Sequence, residues 1–342
     1  MPQLQAHHAT QHQSFHQAWL NGQVCHTVSV HDRGLLYGDG FFTTMLAHHL
    51  SVFNWAGHWA RLQFSAQRLG FAPLDQEALW QYISTALRAA SEHTPQRTWI
   101  IKLLITRGEC AQGGRGYQVP KHAQPRCLVF VSAAPLQCDL NLALPRQTAI
   151  TLGVSPIESS VQSQLAGVKH LNRLDNVLAR TQLAQSLADS SGTRDALTEF
   201  KVDDVLMLNA LGYVVCSTQA NVFMLKDNVL YTPKLNKSGV LGTTREVLLT
   251  LANGLPSRLY MAKHAMEIDL TLHDLGQADE LFLANAVRGI VPVSCLMDDI
   301  TNLNAIDNAH TPNIKTFTTK SREQIHQAWS DWQVSNAKSV HE

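Results

Sequence analysis

The chain has 342 residues, 45% hydrophobic and 16% charged, enough to bury a sizeable core in one large domain or two moderate ones. Its 27 Lys plus Arg balance 27 Asp plus Glu, so nothing global points to a nucleic acid or an anionic membrane, and small anionic ligands must be met by local arginines. No apolar run reaches the ~18 residues of a membrane span, and the six cysteines lack the CxxC spacing of zinc sites or disulfide frameworks, as a reducing cytoplasm allows.

Residues 1–17 form a His/Gln-rich tail without the apolar core of a secretory signal. Its histidines (His7, His8, His12, His16) read as adventitious metal ligands of a flexible segment, and no metal site is expected. A small α+β domain is expected over residues 18–134. It opens at Trp19-Leu20-Asn21-Gly22, an apolar pair running into an Asn-Gly turn. Helical spacing at Trp59, Leu62, Ala66 and Leu69 predicts a helix ended by Gly70, and Leu79, Ile83 and Leu87 predict a second. Strand-like runs at Trp99 to Thr106 and Cys127 to Ser132 flank a glycine-rich loop carrying Arg107, Arg115 and Tyr117. Residues 135–146, with Pro135 and Pro145, read as a linker.

A larger α+β domain is expected over residues 147–301. It begins with a strand, ITLGVS, and continues with a helix from about Lys169 to Leu187, on which Leu171, Leu174, Leu178 and Leu187 form a stripe. A meander follows, turning at Ala210-Leu211-Gly212 and Asp227-Asn228. Gly242-Thr243-Thr244 opens an apolar helix that closes near Gly254, and ELFLANA and IVPVSC read as strands. Residues 302–342 are weakly patterned and read as a C-terminal extension. No internal repeat is evident, and the whole is a mixed α+β chain in two lobes.

Unaided, the residues offer a few sites for chemistry. A lysine at a helix start, as Lys169 is read, sits where the dipole disfavours a cation; it is either a solvated surface group or an amine bonded as a neutral imine. Gly242-Thr243-Thr244 is either an ordinary helix cap or a phosphate cradle of free N–H groups and hydroxyls. His31 and Asp32 lack a nucleophile partner and read as a structural turn.

Seven stretches, in order, carry a resemblance: HDRGLLYGDGFFTT (31–44), HWARL (58–62), RGECAQGGRGY (107–117), AGVKHLNRLDNVLAR (166–180), ANVF (220–223), GTTR (242–245) and ANA (284–286). Together they resemble the fold-type IV pyridoxal-phosphate enzymes over roughly residues 19–295, and AGVKHLNRL with GGRGY favours their lyase branch. The resemblance implies an α+β, two-lobed, D-amino acid aminotransferase-like homodimer that acts on a small molecule with pyridoxal phosphate between its lobes. Lys169 matches the lysine that bonds the cofactor and shuttles the substrate proton. Arg61 matches the arginine on the cofactor phosphate. Thr243 and Thr244 match the phosphate-binding helix start, and Asn285 with Ala286 a second phosphate-contacting turn. Tyr37, Phe42 and Thr44 match a pocket wall, and Arg107, Arg115 and Tyr117 fall in the loop that would meet a carboxylated substrate.

One position departs from the family pattern. Cys216 stands where these enzymes carry the glutamate that keeps the pyridine nitrogen protonated, and a thiol is a poor substitute. The implied reaction is conversion of 4-amino-4-deoxychorismate to 4-aminobenzoate and pyruvate for folate synthesis, in which aromatisation tolerates a weaker electron sink. The alternatives are a branched-chain or D-amino acid aminotransferase, or a cofactor-binding protein of weak catalysis.

Overall fold

The computed structural model describes residues 16–93, 98–109, 116–119, 123–135, 146–189, 202–254, 259, 262–298 and 314–341. The first lobe comprises β1 (His16–Leu20), β2 (Gln23–Val24), α1 (Arg33–Tyr37), β3 (Gly40–His48), β4 (Ser51–Val52), α2 (Trp55–Arg68), α3 (Gln76–His93), β5 (Thr98–Thr106) and β6 (Arg126–Ala133). The second holds β7 (Ile150–Val154), α4 (Leu174–Asp189), β8 (Val202–Leu208), β9 (Val214–Ser217), β10 (Asn221–Lys226), β11 (Val229–Pro233), α5 (Thr243–Asn253), β12 (His264–Ile268), α6 (Leu272–Gly276), β13 (Glu280–Asn285), β14 (Gly289–Met297) and β15 (Ile314–Thr316). α7 (Arg322–Ser335) and β16 (Lys338–Ser339) complete the described chain.

Period-two patterning decides how the lobes meet. On β3, Phe41, Met45 and Ala47 point into a core built with α2 and α3, where Leu62, Ile83 and Leu87 are buried. Leu46 points the other way, into a second cluster shared with Phe223, Leu248, Phe282 and Trp329 of the other lobe. The first sheet runs β16-β4-β3-β5-β6-β1-β2, with β3, β5 and β6 antiparallel throughout. The second runs β12-β11-β10-β13-β14-β7-β8-β9, with β15 on β14. The turn between β10 and β11 has Asp227 and Asn228 both at positive φ, the geometry that joins antiparallel strands in two residues.

Four expectations need correction. The helix expected from Lys169 begins only at Leu174, because the backbone groups of residues 167–171 are taken by partners elsewhere in the chain. Its expected stripe does not face inward: Leu174 and Leu178 are 71% and 52% exposed, while Ala179 and Leu183 are buried. The C-terminal segment is more than a weakly patterned extension. α7 buries Ile325 and Trp329 in the shared core, the Trp329 ring lies against Gly289, and β16 returns to pair with β4. Truncating a buried tryptophan of this kind costs about 3–5 kcal/mol, so α7 is part of the fold. At the other end β1 already starts at His16.

Candidate active site

The segment that carries Lys169 is bonded to both lobes. On one side Phe42 N donates to Lys169 O (2.9 Å) and Leu171 N to Gly40 O (3.0 Å). On the other, Gly167 N donates to Gly239 O and Leu241 N to Gly167 O, both at 3.0 Å. The approach requires a glycine. Gly167 has φ +84°, and a Cβ there would lie 2.9 Å from Leu241 and 3.2 Å from the Phe64 ring. Lys169 is thus fixed at the seam between the sheets, in extended backbone, and the helix dipole has no part in its chemistry.

The Lys169 ammonium lies 4.5 Å from the centroid of the Phe42 ring. Burial, then the positive charges of Arg61 and Arg173, and to a lesser degree Lys102, pull its pKa down to about 7; the Cys216 sulfur opposes them weakly. An amine so placed is substantially neutral near pH 7, the form that attacks an aldehyde or accepts a proton.

Beside this amine lies a set of donors without acceptors. Arg61, on α2, gives Nη2 to Thr43 Oγ1 and, at 3.3 Å, to His58 Nδ1, while its buried Nε has no partner. Burial lowers its pKa to about 10, and among the described residues no carboxylate pairs with it. At the start of α5 the hydroxyls of Thr243 and Thr244 are likewise buried and unpartnered, and Gly242 offers no side-chain cap. The first N–H groups of a helix have no acceptor within it. Asn221 secures this corner through Nδ2 to Val240 O (2.9 Å), close enough that any Cβ on Gly242 would strike its Oδ1. Orphaned donors around a helix start are what a phosphate would satisfy.

Cys216 lies on β9 opposite Met207 of β8. Burial raises its thiol to about 11, against the pull of the nearby Arg173 charge, so it is a neutral thiol at physiological pH. Arg173 bends back over the Lys169 segment, with Nε to His170 O (3.0 Å) and Nη2 to Val168 O (3.3 Å). At position 216 itself a thiol therefore stands where the resemblance implies a carboxylate, with the charges of Arg173 and Asp204 both close by.

The expected pocket residues divide. Phe42 and Thr44 of β3 share a face of the first sheet with Lys102 of β5, which pairs with Thr44 and lies 4.8 Å over the Phe42 ring. Burial lowers the pKa of Lys102, and sequence reasoning missed it inside the apolar run WIIKLLIT. Tyr37 and Tyr117 meet edge to face at 5.5 Å, and Tyr117 is 84% exposed. Arg107 is engaged elsewhere: Nε grips Asp39 (2.8 and 3.0 Å), Nη1 and Nη2 donate to Gly70 O and Leu69 O, and the guanidinium covers Phe71. All three of its nitrogens bond within the fold and the residue is buried, so it does not stand ready for a substrate. Arg33, also missed, shares Asp39 and holds the 117–118 backbone. Asn285 uses Oδ1 on the N–H groups of Val287 and Arg288, a turn that presents Ala286 beside it. Arg115 lies outside the described residues. Asp32 caps α1 by accepting from Gly34 N, the structural turn expected of it.

The family model Amino-transferase class IV matches residues 40–296, and the chain belongs to that family of enzymes. Its cofactor is pyridoxal phosphate, and the unpartnered donors of Arg61, Thr243 and Thr244 beside the near-neutral Lys169 fit that group. More particularly, the chain is 31% identical over 277 residues to the aminodeoxychorismate lyase of Vibrio harveyi, covering 81% of this chain and 90% of that one. It is 35% identical over 280 residues to a protein of Methanocaldococcus jannaschii assigned as a branched-chain-amino-acid aminotransferase, covering 80% and 86%. The crystal structure of 4-amino-4-deoxychorismate lyase from Pseudomonas aeruginosa superposes with a TM-score of 0.69 at 30% identity, covering 92% and 98% of the two chains. The fold is that of the fold-type IV aminotransferases.

Proposed function

We propose that this enzyme is a lyase that converts 4-amino-4-deoxychorismate into 4-aminobenzoate and pyruvate, working as a cytoplasmic homodimer and supplying folate synthesis. The observation that carries the reading is the charge of the site. Lys169, Lys102, Arg61 and Arg173 surround it, and among the described residues none of the four is ion-paired with a carboxylate. A phosphate accounts for Arg61, Lys169 with its pKa near 7 is the reactive amine, and the two remaining cations, Lys102 and Arg173, suit a substrate that enters with two carboxylates. In solvent so restricted, each uncompensated cation raises the affinity for an anion more than it would at a surface.

Pyridoxal phosphate, when bound, would supply an electron sink for the carbon that bears the substrate's amine. Lys169 Nζ, with its pKa near 7, takes the proton from the amine-bearing ring carbon. The C–O bond to the enolpyruvyl group then breaks, the ring becomes aromatic, and a proton delivered to the terminal carbon of the departing enolpyruvate yields pyruvate. Arg61, Thr243 and Thr244 hold the phosphate, while Lys102 attracts a substrate carboxylate from the face of β5. Tyr37 and Tyr117 wall the entrance. Aromatisation drives departure, which is why Cys216 in place of a carboxylate is tolerable in this reaction and costly in amino transfer.

Dimerisation is supported by apolar side chains left in water. Leu174, Val177 and Leu178 on α4 are more than half exposed, and α1, with Leu35 and Leu36 exposed, is tied to the entry of α4 by Asn172 Nδ2 to Gly38 O at 3.2 Å.

Offering 4-amino-4-deoxychorismate to the cofactor-loaded protein and assaying 4-aminobenzoate with pyruvate tests the reading. Neither product, together with amino transfer to a 2-oxo acid, rejects the lyase in favour of an aminotransferase, the second reading that the Methanocaldococcus relative favours. A coloured holoprotein inert in both assays points to a cofactor-binding protein of weak catalysis. Cys216→Glu should increase amino-transfer half-reactions, followed by the absorbance of the cofactor; no change refutes this role of position 216.

A further inference from the structure

Thr43 and His58 are 0% and 1% exposed. His58 stands one helical turn before Arg61 on α2, so the two side chains share a face. Thr43 Oγ1 lies 2.6 Å from His58 Nδ1 and receives a hydrogen bond from Arg61 Nη2, which also reaches His58 Nδ1 at 3.3 Å. A guanidinium only donates, so His58 Nδ1 has to be the acceptor and its proton sits on Nε2. The Thr43 hydroxyl accepts from Arg61 and donates to His58.

We propose that His58 is a positioning residue which, through Thr43, locks the guanidinium of Arg61 in the orientation that meets the cofactor's phosphate. The inference rests on the pyridoxal-phosphate reading of the site. A carboxylate in place of this pair would also hold an arginine, but it would cancel the positive charge and compete with the phosphate for the same donors. A hydroxyl backed by a neutral imidazole orients without neutralising. It occupies Nη2 alone and leaves Nε, buried and unpartnered, for the ligand. Burial, with the Arg61 charge added, holds His58 well below its usual pKa, which keeps the acceptor lone pair available. A free arginine side chain samples many rotamers, and fixing it before the ligand arrives spares that entropy loss on binding.

The test compares pyridoxal phosphate with pyridoxal, which has the same aldehyde and ring but no phosphate. Full-length protein stripped of cofactor is titrated with each, and the bound fraction is read from absorbance and from borohydride trapping at Lys169. His58→Leu and Thr43→Val should weaken pyridoxal phosphate by about tenfold or more, the scale of one misaligned charge-assisted hydrogen bond. Pyridoxal should bind these variants as it binds the wild type. His58→Asn, whose Oδ1 replaces the Nδ1 acceptor, and Thr43→Ser should recover most of the affinity. An equal loss for both ligands in Thr43→Val, or no loss for either, overturns the proposal. Failure of the wild type to form a trappable link with either aldehyde overturns the cofactor reading instead.

Discussion

Removing the amine of Lys169 should make the cofactor-free protein more stable at neutral pH. In the native state burial, with the charges of Arg61, Arg173 and Lys102, takes this amine from its ordinary 10.5 to about 7. The unfolded chain keeps the ordinary value, so it binds the proton more tightly than the native state does. Wild-type stability therefore falls as pH drops from about 10.5 toward 7 and levels below that, where both states are protonated. At about 1.4 kcal/mol per pH unit the full penalty is roughly 5 kcal/mol. The residue as a whole is half-buried, so the full figure is discounted for solvent screening, and an advantage of about 2–3 kcal/mol is expected for Lys169→Met. Methionine keeps the length of the side chain and most of its packing. The assay is urea unfolding of hydroxylamine-treated protein at about pH 6 and about pH 9.5, with the gain present at the lower pH and much smaller at the higher. A pH-independent difference, or a variant less stable at about pH 6, refutes the reasoning. In the holoprotein the order should reverse, because only the wild type can bond the cofactor.

The buried, unpartnered hydroxyls of Thr243 and Thr244 should behave oppositely in the two states. Thr243→Val or Thr244→Val is expected to leave the cofactor-free protein as stable or about 1 kcal/mol more so by thermal melting, while pyridoxal phosphate is released more readily on dialysis. Arg107→Ala should cost about 3–5 kcal/mol by denaturant titration, since Asp39 loses its main partner inside the fold. Burial alone raises the Asp39 carboxyl, but Arg107 and Arg33 outweigh it and hold the group below the usual range. Its contribution is therefore present above about pH 4 and fades as pH falls through the lowered value, so acid unfolding of Arg107→Ala should begin at higher pH than in the wild type. Leu178→Asp, on the exposed side of α4, should shift the sedimentation coefficient from dimer to monomer; an unchanged value removes α4 from the interface.

How far the sequence could be read depended on whether an element's partners were local. α2 and α3 were legible because a 3.6-residue stripe records which face is covered, and β5, β6, β13 and β14 because their apolar runs are long. The start of α4 was not legible. Residues 169–173 are compatible with a helix, but bonds to Gly40 and Phe42, the return of Arg173 onto His170 and Val168, and the anchoring of Gly167 to Gly239 and Leu241 hold the segment in another path. α7 was hidden by its composition, since much of its inward face is polar: His326, Ser330 and Gln333 are buried beside Ile325 and Trp329.

At the site, Lys169, Arg61 and the Thr243-Thr244 pair stood out through motif order, which records chemistry. The structural engagement of Arg107 was not legible, because its counter-ion, Asp39, lies far away in the chain, and an arginine in a glycine-rich loop looks free. Lys102 carried a usable signal: it is the one charge in the nine-residue apolar strand β5 and falls on the alternation of Phe42's face. The helical spacing of His58 and Arg61 was also visible, but the hydroxyl that joins them comes from β3.

The pairing of β16 with β4 sets a timetable for biosynthesis. Domains ordinarily fold as they leave the ribosome, the earlier ones first. Here one margin of the first sheet is β4, which stays uncovered until residues 338–339 have emerged and docked against Ser51 and Val52. During that interval the nascent chain exposes an unprotected strand edge, the kind of surface that recruits holdase chaperones or pairs with a neighbouring nascent copy.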